Sequence, residues 1–392
     1  MAAKSTFDLI IAGAGASGLS LLRNILSSEK LKDLSILLLD LNLTPKNDKT
    51  WCFWDDSNLP DSHLIRHSWK SLEVRAYGNL FAEELRDYRY HCLRSVDYST
   101  AILEMAEISP QVTLLEASIH DFSNSGESAT VHTSKGDFTA SWIFQSALKP
   151  PGFKNLWVDV SLKQHFLGAE VKTDKPVFDP ETVVLMDFDT SQKHGVTFFY
   201  ILPFSETEAL VEYTFFTEHL LSQEEYMGGI EAYMKSRYGL RNGQYTITRT
   251  ESGSIPMEDR RYPAWYIPRV MNIGTTGGLT KPSTGYTFTR IQQHSKAIAE
   301  ALSNGQVPPV SNLSSYRFRV YDMMLLYLLE AEPATCKTIF HELFKRNRFD
   351  KILRFLEEDT TLGEEISIFA SLPYLPFFKA IYKMKHRILT GA

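Results

Sequence analysis

Gly13, Gly15 and Gly18, with Ala14 between the first two, spell Gly-x-Gly-x-x-Gly directly after the apolar run FDLIIA and at the start of a helical stretch. The chemistry this spacing serves is phosphate binding. The first glycine permits a tight turn, the second leaves room for a pyrophosphate, and the third lets helix and strand pack closely. Backbone N–H groups and the positive end of the helix dipole then face the phosphates. Asp40 closes the next apolar run, SILLLD, where its carboxylate would accept hydrogen bonds from a ribose. An acid there favours an unphosphorylated ribose, hence FAD or NAD rather than NADP. A later glycine-rich stretch runs from Gly274 through Gly278 to Gly285. Within it Pro282-Ser283-Thr284-Gly285-Tyr286 reads as the start of a second helix. Such a helix end would stabilise negative charge on a reduced flavin; a plain surface turn also fits the spacing.

Two acids are candidates for proton transfer. In ALVEYTFFT, Leu210, Glu212 and Thr214 share one face of a strand. Glu212 then either faces solvent or points into an apolar cavity, where burial would raise its pKa and let it hold a proton near neutral pH. Asp187, in LMDFD with Asp189 on the same face, either assists that transfer or merely ends a strand. Glu357 and Glu358 lie in FLEEDT, inside a charge-rich helical segment; acids at that density indicate a solvated helix face. His63 and His67 have the i,i+4 spacing of metal ligands but no evident third partner, which points to a surface helix. Trp51, Phe53 and Trp54 fall within four positions of the stretch NDKTWCFWDD. Its polar edges suggest a loop whose aromatics either wall a ligand or belong to the core.

The elements that must position these residues are legible in outline. Residues 7–40 read strand, turn, helix, strand, and the fully apolar strands suggest a parallel sheet covered on both faces. From about residue 150 the pattern changes to β-rich segments separated by polar turns, an antiparallel sheet. The expected organisation is a Rossmann-like α/β dinucleotide domain over 1–150 and a β-rich substrate domain over 151–265. The chain then returns to the first domain over 266–310 and ends in a helical region over 311–392. In that last region Phe377, Ile381, Met384 and Ile388 recur at 4-3-4 spacing among Lys379, Lys383, Lys385 and Arg387. A basic amphipathic helix of this kind fits peripheral contact with an anionic bilayer or docking on the core.

A net charge of -6 gives no reason to expect nucleic-acid binding. Cys52, Cys92 and Cys336 form neither a CxxC pair nor a disulfide framework, which suggests a reducing cytosol. The first residues read as a buried strand entering a turn rather than a signal peptide. No run of about 18 apolar residues suggests a membrane span.

The motifs FDLIIAGAGASGLSL, NDKTWCFW, LMDFD, ALVEYTFFTE, SIPM and GGLTKPSTGYTFTRI occur in the order found in the flavin-dependent lycopene cyclases of bacteria and plant plastids. The chain resembles that family from residue 7 to about 300, and its tail resembles the bacterial members. The resemblance implies an intramolecular lyase that cyclises the linear ψ-ends of lycopene to β-rings, giving γ- and β-carotene. It implies FAD in its reduced form without net electron transfer, NAD(P)H as the reductant, and a cytoplasmic protein peripherally attached to the inner face of a membrane. Glu212 matches the first acid of the family's Phe-Leu-Glu-Glu-Thr motif, with Tyr213 in place of the second, and Asp187 matches its Met-Asp pair. Trp51, Phe53 and Trp54 become candidate walls of a polyene tunnel. The alternatives on the same fold are an FAD-dependent monooxygenase or an isoprenoid reductase. Against the first, the late glycine-rich strand IGTTGGL lacks the Gly-Asp pair usual in flavin hydroxylases.

Overall fold

The computed structural model describes residues 5–55, 61–310 and 314–390. The first few residues and Asp56, the last position of the aromatic stretch, lie outside them.

The chain begins with β1 (Thr6–Ala12), α1 (Ala16–Leu26) and β2 (Ile36–Asp40), as the apolar runs predict. Next come β3 (Thr50–Asp55), β4 (His67–Trp69), β5 (Ser71–Ala76), β6 (Asn79–Glu84) and β7 (Arg89–Arg94). They lead to α2 (Ser95–Ile108), β8 (Val112–Glu116), β9 (Ile119–Asn124), β10 (Ala129–Thr133) and β11 (Gly136–Gln145). The β-rich middle holds β12 (Ser161–Thr173), β13 (Thr182–Asp187), β14 (Val196–Pro203), β15 (Glu208–Thr217), α3 (Gln223–Tyr238) and β16 (Tyr245–Glu258). After β17 (Trp265–Ile267) and β18 (Val270–Asn272) come α4 (Phe288–Ser303), α5 (Tyr316–Ala331) and α6 (Pro333–Arg346). The last elements are α7 (Phe349–Leu356), α8 (Leu362–Ala370) and α9 (Tyr374–Leu389).

Two sheets carry the architecture. One has the path β17-β18-β11-β1-β2-β8, parallel from β18 to β8, with the β9–β10 hairpin attached to β11. Its strands are buried on both faces: Leu9, Ile11 and Leu38 pack with α1, α2 and α4, while Ile10, Leu37 and Leu39 pack toward Phe122 and Val131 of the hairpin. This is why β1 and β2 are continuously apolar instead of alternating. The other sheet runs β16-β12-β15-β14-β13-β5-β6 and is antiparallel apart from the β13–β5 pair. Alternation along its strands sends one set of side chains to α3 and the other toward the C-terminal helices. The pair β5–β6 belongs to this second sheet, although it lies within the first 150 residues.

Several local readings need correction. The aromatic stretch is not a loop: Thr50–Asp55 is β3, the edge of a small antiparallel sheet ordered β3-β7-β4. His63 and His67 share no helix; the former sits in a short 3-10 turn and the latter opens β4. Pro282 to Tyr286 form a closed turn ahead of α4, which starts at Phe288. The Gly285 N–H donates to the Lys281 carbonyl at 2.9 Å and Gly285 has φ +75, a left-handed conformation that halts a right-handed helix. Ser283 does not cap; its hydroxyl donates to Asp322 at 2.5 Å.

The FLEEDT acids are not a solvated face. Glu358 sits just past α7 with φ +66, and its carboxylate accepts from Lys281 (2.8 Å), Ser314 (2.6 Å) and Arg290. Lys281 and Glu358 side chains are only 4% and 11% exposed, so this ion cluster ties the turn at 281–286 to the C-terminal helices. Burial raises the Glu357 carboxyl above its ordinary range, whereas Lys281 and Arg290 hold Glu358 below it against its own burial.

Candidate active site

The glycine-rich turn has the geometry that phosphate binding requires. A Cβ on Gly18 would lie 1.9 Å from the Gly13 carbonyl oxygen, so helix α1 reaches β1 only with glycine there. Gly13 (φ +117) sits against Ser146, and Gly274 (φ +64) against Ser17. Gly15, in contrast, is exposed and has nothing within 4 Å of where its Cβ would be. That is an open berth at the N-terminus of α1. Asp40 stands beside it at the end of β2, its carboxylate accepting from the Ala14 N–H at 2.6 Å. Gly278, at φ +75, turns the chain after β18 back toward this end of the sheet.

From this turn a chamber of about 410 Å³ extends to the second sheet. Ala16 and Thr275 line its nucleotide end; Glu212, Tyr200, Leu202, Leu210, Gln164 and Phe166 line the sheet end; Thr284, Gly285, Tyr286 and Phe288 form a side wall. Two of these residues hold buried polar atoms without a hydrogen-bond partner, Gln164 Oε1 and Thr284 Oγ1. Unpaired buried polar atoms are costly, and two in one chamber mark where a polar ligand edge would bind. The open Gly15, the unpaired atoms and the adjoining carboxylate of Asp40 together fit a flavin dinucleotide.

Glu212 lies in a row of directly opposed residues across four strands: Tyr200 on β14, Glu212 on β15, Gly168 on β12 and Glu251 on β16. Gly168 makes the row possible. A Cβ there would come within 3.2 Å of Glu251 Cγ, 3.1 Å of Leu210 and 3.7 Å of Glu212 Cβ. Glu212 is half-buried and lines the chamber, and burial, followed by the charge of Glu251, pushes its carboxyl up to about 8. A hydrogen bond from Thr214 (2.8 Å) opposes that shift and orients the group. Glu251 has the opposite environment: Arg249 and Thr50 donate to it at 2.5 and 2.8 Å. Of the two carboxyls in the row, Glu251 is held by an arginine and a hydroxyl, and Glu212 by the Thr214 hydroxyl.

Phenolic hydroxyls and a thiol complete the wall. Tyr90 and Tyr286 oxygens are 3.3 Å apart; burial pushes Tyr286 up to about 12 and raises Tyr90 and Tyr200 well above the ordinary phenol value, so all three stay neutral. Cys52 also lines the chamber and remains a thiol, its pKa raised by burial and then by Cys92, Glu212 and Glu251. Cys92 is its directly opposed neighbour across β3–β7. Sequence reading missed Glu251, Tyr90, Tyr200 and Cys52. Only the cross-strand register gathers them, and no local pattern encodes that register.

The three predicted aromatics separate. Trp51 lines the chamber and stacks on Phe288 at 5.6 Å, its edge partner being Tyr98. Phe53 also stacks on Phe288, at 5.0 Å, and is core. Trp54 points the opposite way, 3% exposed, with Tyr286 edge-on at 4.7 Å.

Asp187 is not brought to Glu212. β13 contains a bulge between Val184 and Met186, where one extra residue is accommodated against β5. The bulge shifts the alternation: Val183 and Met186 face the C-terminal helices, and Asp187 faces α3. There it accepts a 2.7 Å hydrogen bond from Tyr233 and lies 4.0 Å from Arg237. Asp189 instead pairs with Lys337 and the Gly78 N–H.

Among known proteins, the family model described as "Lycopene cyclase protein" matches residues 8–382. The lycopene beta-cyclase of Pantoea ananas is 24% identical, covering 96% of this chain and 97% of its own. That of a Paracoccus species is 26% identical over 98% of both chains. Among solved structures, a flavoprotein/dehydrogenase from Cytophaga hutchinsonii superposes with a TM-score of 0.60 at 12% identity, over 93% of this chain and 99% of its own. With a family match across nearly its whole length, the chain belongs to the lycopene cyclases.

Proposed function

We propose that the chain is a lycopene β-cyclase, converting the ψ-ends of lycopene to β-rings with FAD bound between the two sheets. The observation that carries the reading is Glu212, a carboxyl held protonated near neutral pH in an apolar wall that leads to the glycine-rich turn. Membership of the lycopene cyclase family supplies the substrate class.

Gly13, Ala14, Gly15 and Gly18 would receive the pyrophosphate, and Asp40 the ribose. Thr284, Gly285 and Gln164 would meet the edge of the flavin ring, with Gly274, Gly278 and Pro282 shaping the turn behind it. When bound in its reduced form, FAD would supply negative charge that favours a developing cation, and NAD(P)H is the proposed reductant that keeps it so.

The residues of the chain carry the proton chemistry. Glu212 O–H donates its proton to the terminal double bond, leaving a tertiary carbocation. The neighbouring π-bond attacks that carbon and closes the ring, and a ring proton then leaves to the carboxylate that Glu212 has become. Atoms and electrons balance without net redox change. Tyr90, Tyr200, Tyr286 and Trp51 present neutral, electron-rich groups that stabilise the cation, each favourable ring contact contributing about 0.5–2 kcal/mol. They also keep out water that would trap it. Asp187 is assigned to holding α3 on the sheet, away from the substrate.

The test is purified protein, lycopene in liposomes and FAD reduced anaerobically. Formation of an isomeric cyclic product without oxygen or stoichiometric NAD(P)H consumption is expected. Oxygen-dependent NAD(P)H consumption without cyclisation would overturn the assignment in favour of a monooxygenase.

A further inference from the structure

Three of the four residues of the apolar stripe predicted on the last helix are docked, and the fourth, Ile381, is 41% exposed. Met384 is 3% exposed, and Phe377 and Ile388 pack on the core. A different stripe faces out. Leu375, Phe378 and Tyr382, spaced three and four apart, are 69%, 64% and 65% exposed on α9, and Leu362 and Ile366 of α8 are 62% and 69% exposed. A helix apolar on both sides suits a protein core or a lipid surface. α9 carries Lys379, Lys383 and Lys385 among these side chains and no acid; Lys379 pairs with Glu332, and Lys385 lies over the Tyr382 ring at 4.4 Å. Apolar side chains ringed by lysines match an anionic bilayer, with headgroup phosphates for the lysines and acyl chains for the rings.

Behind this face lies a second cavity, about 110 Å³ and almost wholly apolar. Its outer wall is Phe369, Leu372 and Phe377 of the α8–α9 region, and Leu325 and Leu343 line its middle. Its inner wall is Tyr200, Thr284 and Tyr286, three residues that also line the Glu212 chamber.

We propose that α8 and α9 dock on an anionic lipid surface and that the cavity beneath them is the route by which a long apolar polyene reaches Glu212. The substrate part rests on the cyclase reading; the docking part does not. The cavity is too small for a polyene as it stands, so α8 and α9 part from α5 and α6 when the chain enters. The Tyr200–Tyr286 wall is then the inner gate, and substrate arrives end-first, as a reaction at a terminal double bond requires.

Flotation with phosphatidylglycerol and phosphatidylcholine vesicles tests the docking surface. The parent should bind the anionic vesicles preferentially, and the double variant Leu375→Asp/Phe378→Asp should bind roughly a hundredfold more weakly, with flavin content unchanged. Cyclisation of lycopene in liposomes should fall with binding, whereas cyclisation of detergent-dispersed lycopene should persist. Equal vesicle binding by parent and variant overturns the proposal. So does a parent dimer that the double variant turns into a monomer, which would make the face a contact with a second copy. Leu343→Trp tests the route: cyclisation should be lost in vesicles and detergent alike, with vesicle binding and flavin retained. If that variant does not retain flavin, Leu325→Phe takes its place. Unimpaired cyclisation in the flavin-bound variant overturns the route. A parent that binds vesicles but cyclises nothing in any medium counts against the cyclase reading, not against the docking surface.

Discussion

At the scale of single residues, the proposed mechanism rests on a proton held by Glu212. With its carboxyl at about 8, cyclisation should be flat near neutral pH and fall about tenfold per unit above that value. Glu212→Gln should lower turnover by at least about a hundredfold while flavin absorbance is retained; undiminished turnover would remove Glu212 from its role. The same group affects stability. The folded chain keeps a proton that the unfolded chain releases above the ordinary carboxyl range, so the contribution is full at low pH and declines as pH rises toward about 8. Thermal melts at pH 8.5 (chosen, as about half a unit above that value, so that the penalty is present) should therefore show Glu212→Gln more stable than the parent. Glu212 was legible through its match to the family motif, since alternation along the strand left open whether it faces solvent or a cavity. Glu251 was not, since it meets Glu212 only across Gly168 through two long-range pairings.

At the scale of elements, the closed turn at 281–286 depends on chain that is distant in sequence. Glu358→Ala would leave Lys281 and Arg290 without their shared carboxylate, a cost of roughly 3 kcal/mol for breaking a buried ion cluster. Chemical denaturation should register that loss, and FAD titration should show weaker binding as the turn loosens. Sequence reading placed the FLEEDT acids on a solvated face because local charge density carries no information about which distant cations bury against them. Strand β3 was read as a loop for a related reason: its polar flanks are local, while the pairing with β7 that fixes it is not. Asp187→Ala leaves the buried Tyr233 hydroxyl without its acceptor and should cost about 2–3 kcal/mol. Turnover per folded molecule should stay near the parent's, and its collapse would return Asp187 to the catalytic group.

At the scale of the whole molecule, the site exists because two sheets meet. The parallel sheet brings the glycine-rich turn and Asp40, and the antiparallel sheet brings the acids. Gly15 and Gly18 separate binding from folding. Gly15→Val places a side chain in the open berth and should abolish FAD binding while the far-ultraviolet circular dichroism is unchanged. Gly18→Ala forces its Cβ onto the Gly13 carbonyl and should lower both flavin content and melting temperature. The strand–turn–helix unit and the change to an antiparallel sheet were legible because each is written in contiguous residues with a clear period. The transfer of β5–β6 to the second sheet was not, because sheet membership is decided by pairing partners and not by the strand's own pattern.

The bulge in β13 bears on how roles pass between relatives. Whether the Met-Asp pair of this strand looks toward substrate or toward α3 depends on a single surplus residue upstream of it. A homologue one residue shorter there would carry the identical dipeptide and present its acid to the opposite side of the sheet. Matching letters in an alignment would then equate a buttress with a reagent, so the number of β13 residues set against β5 must be compared before the function of that aspartate is transferred.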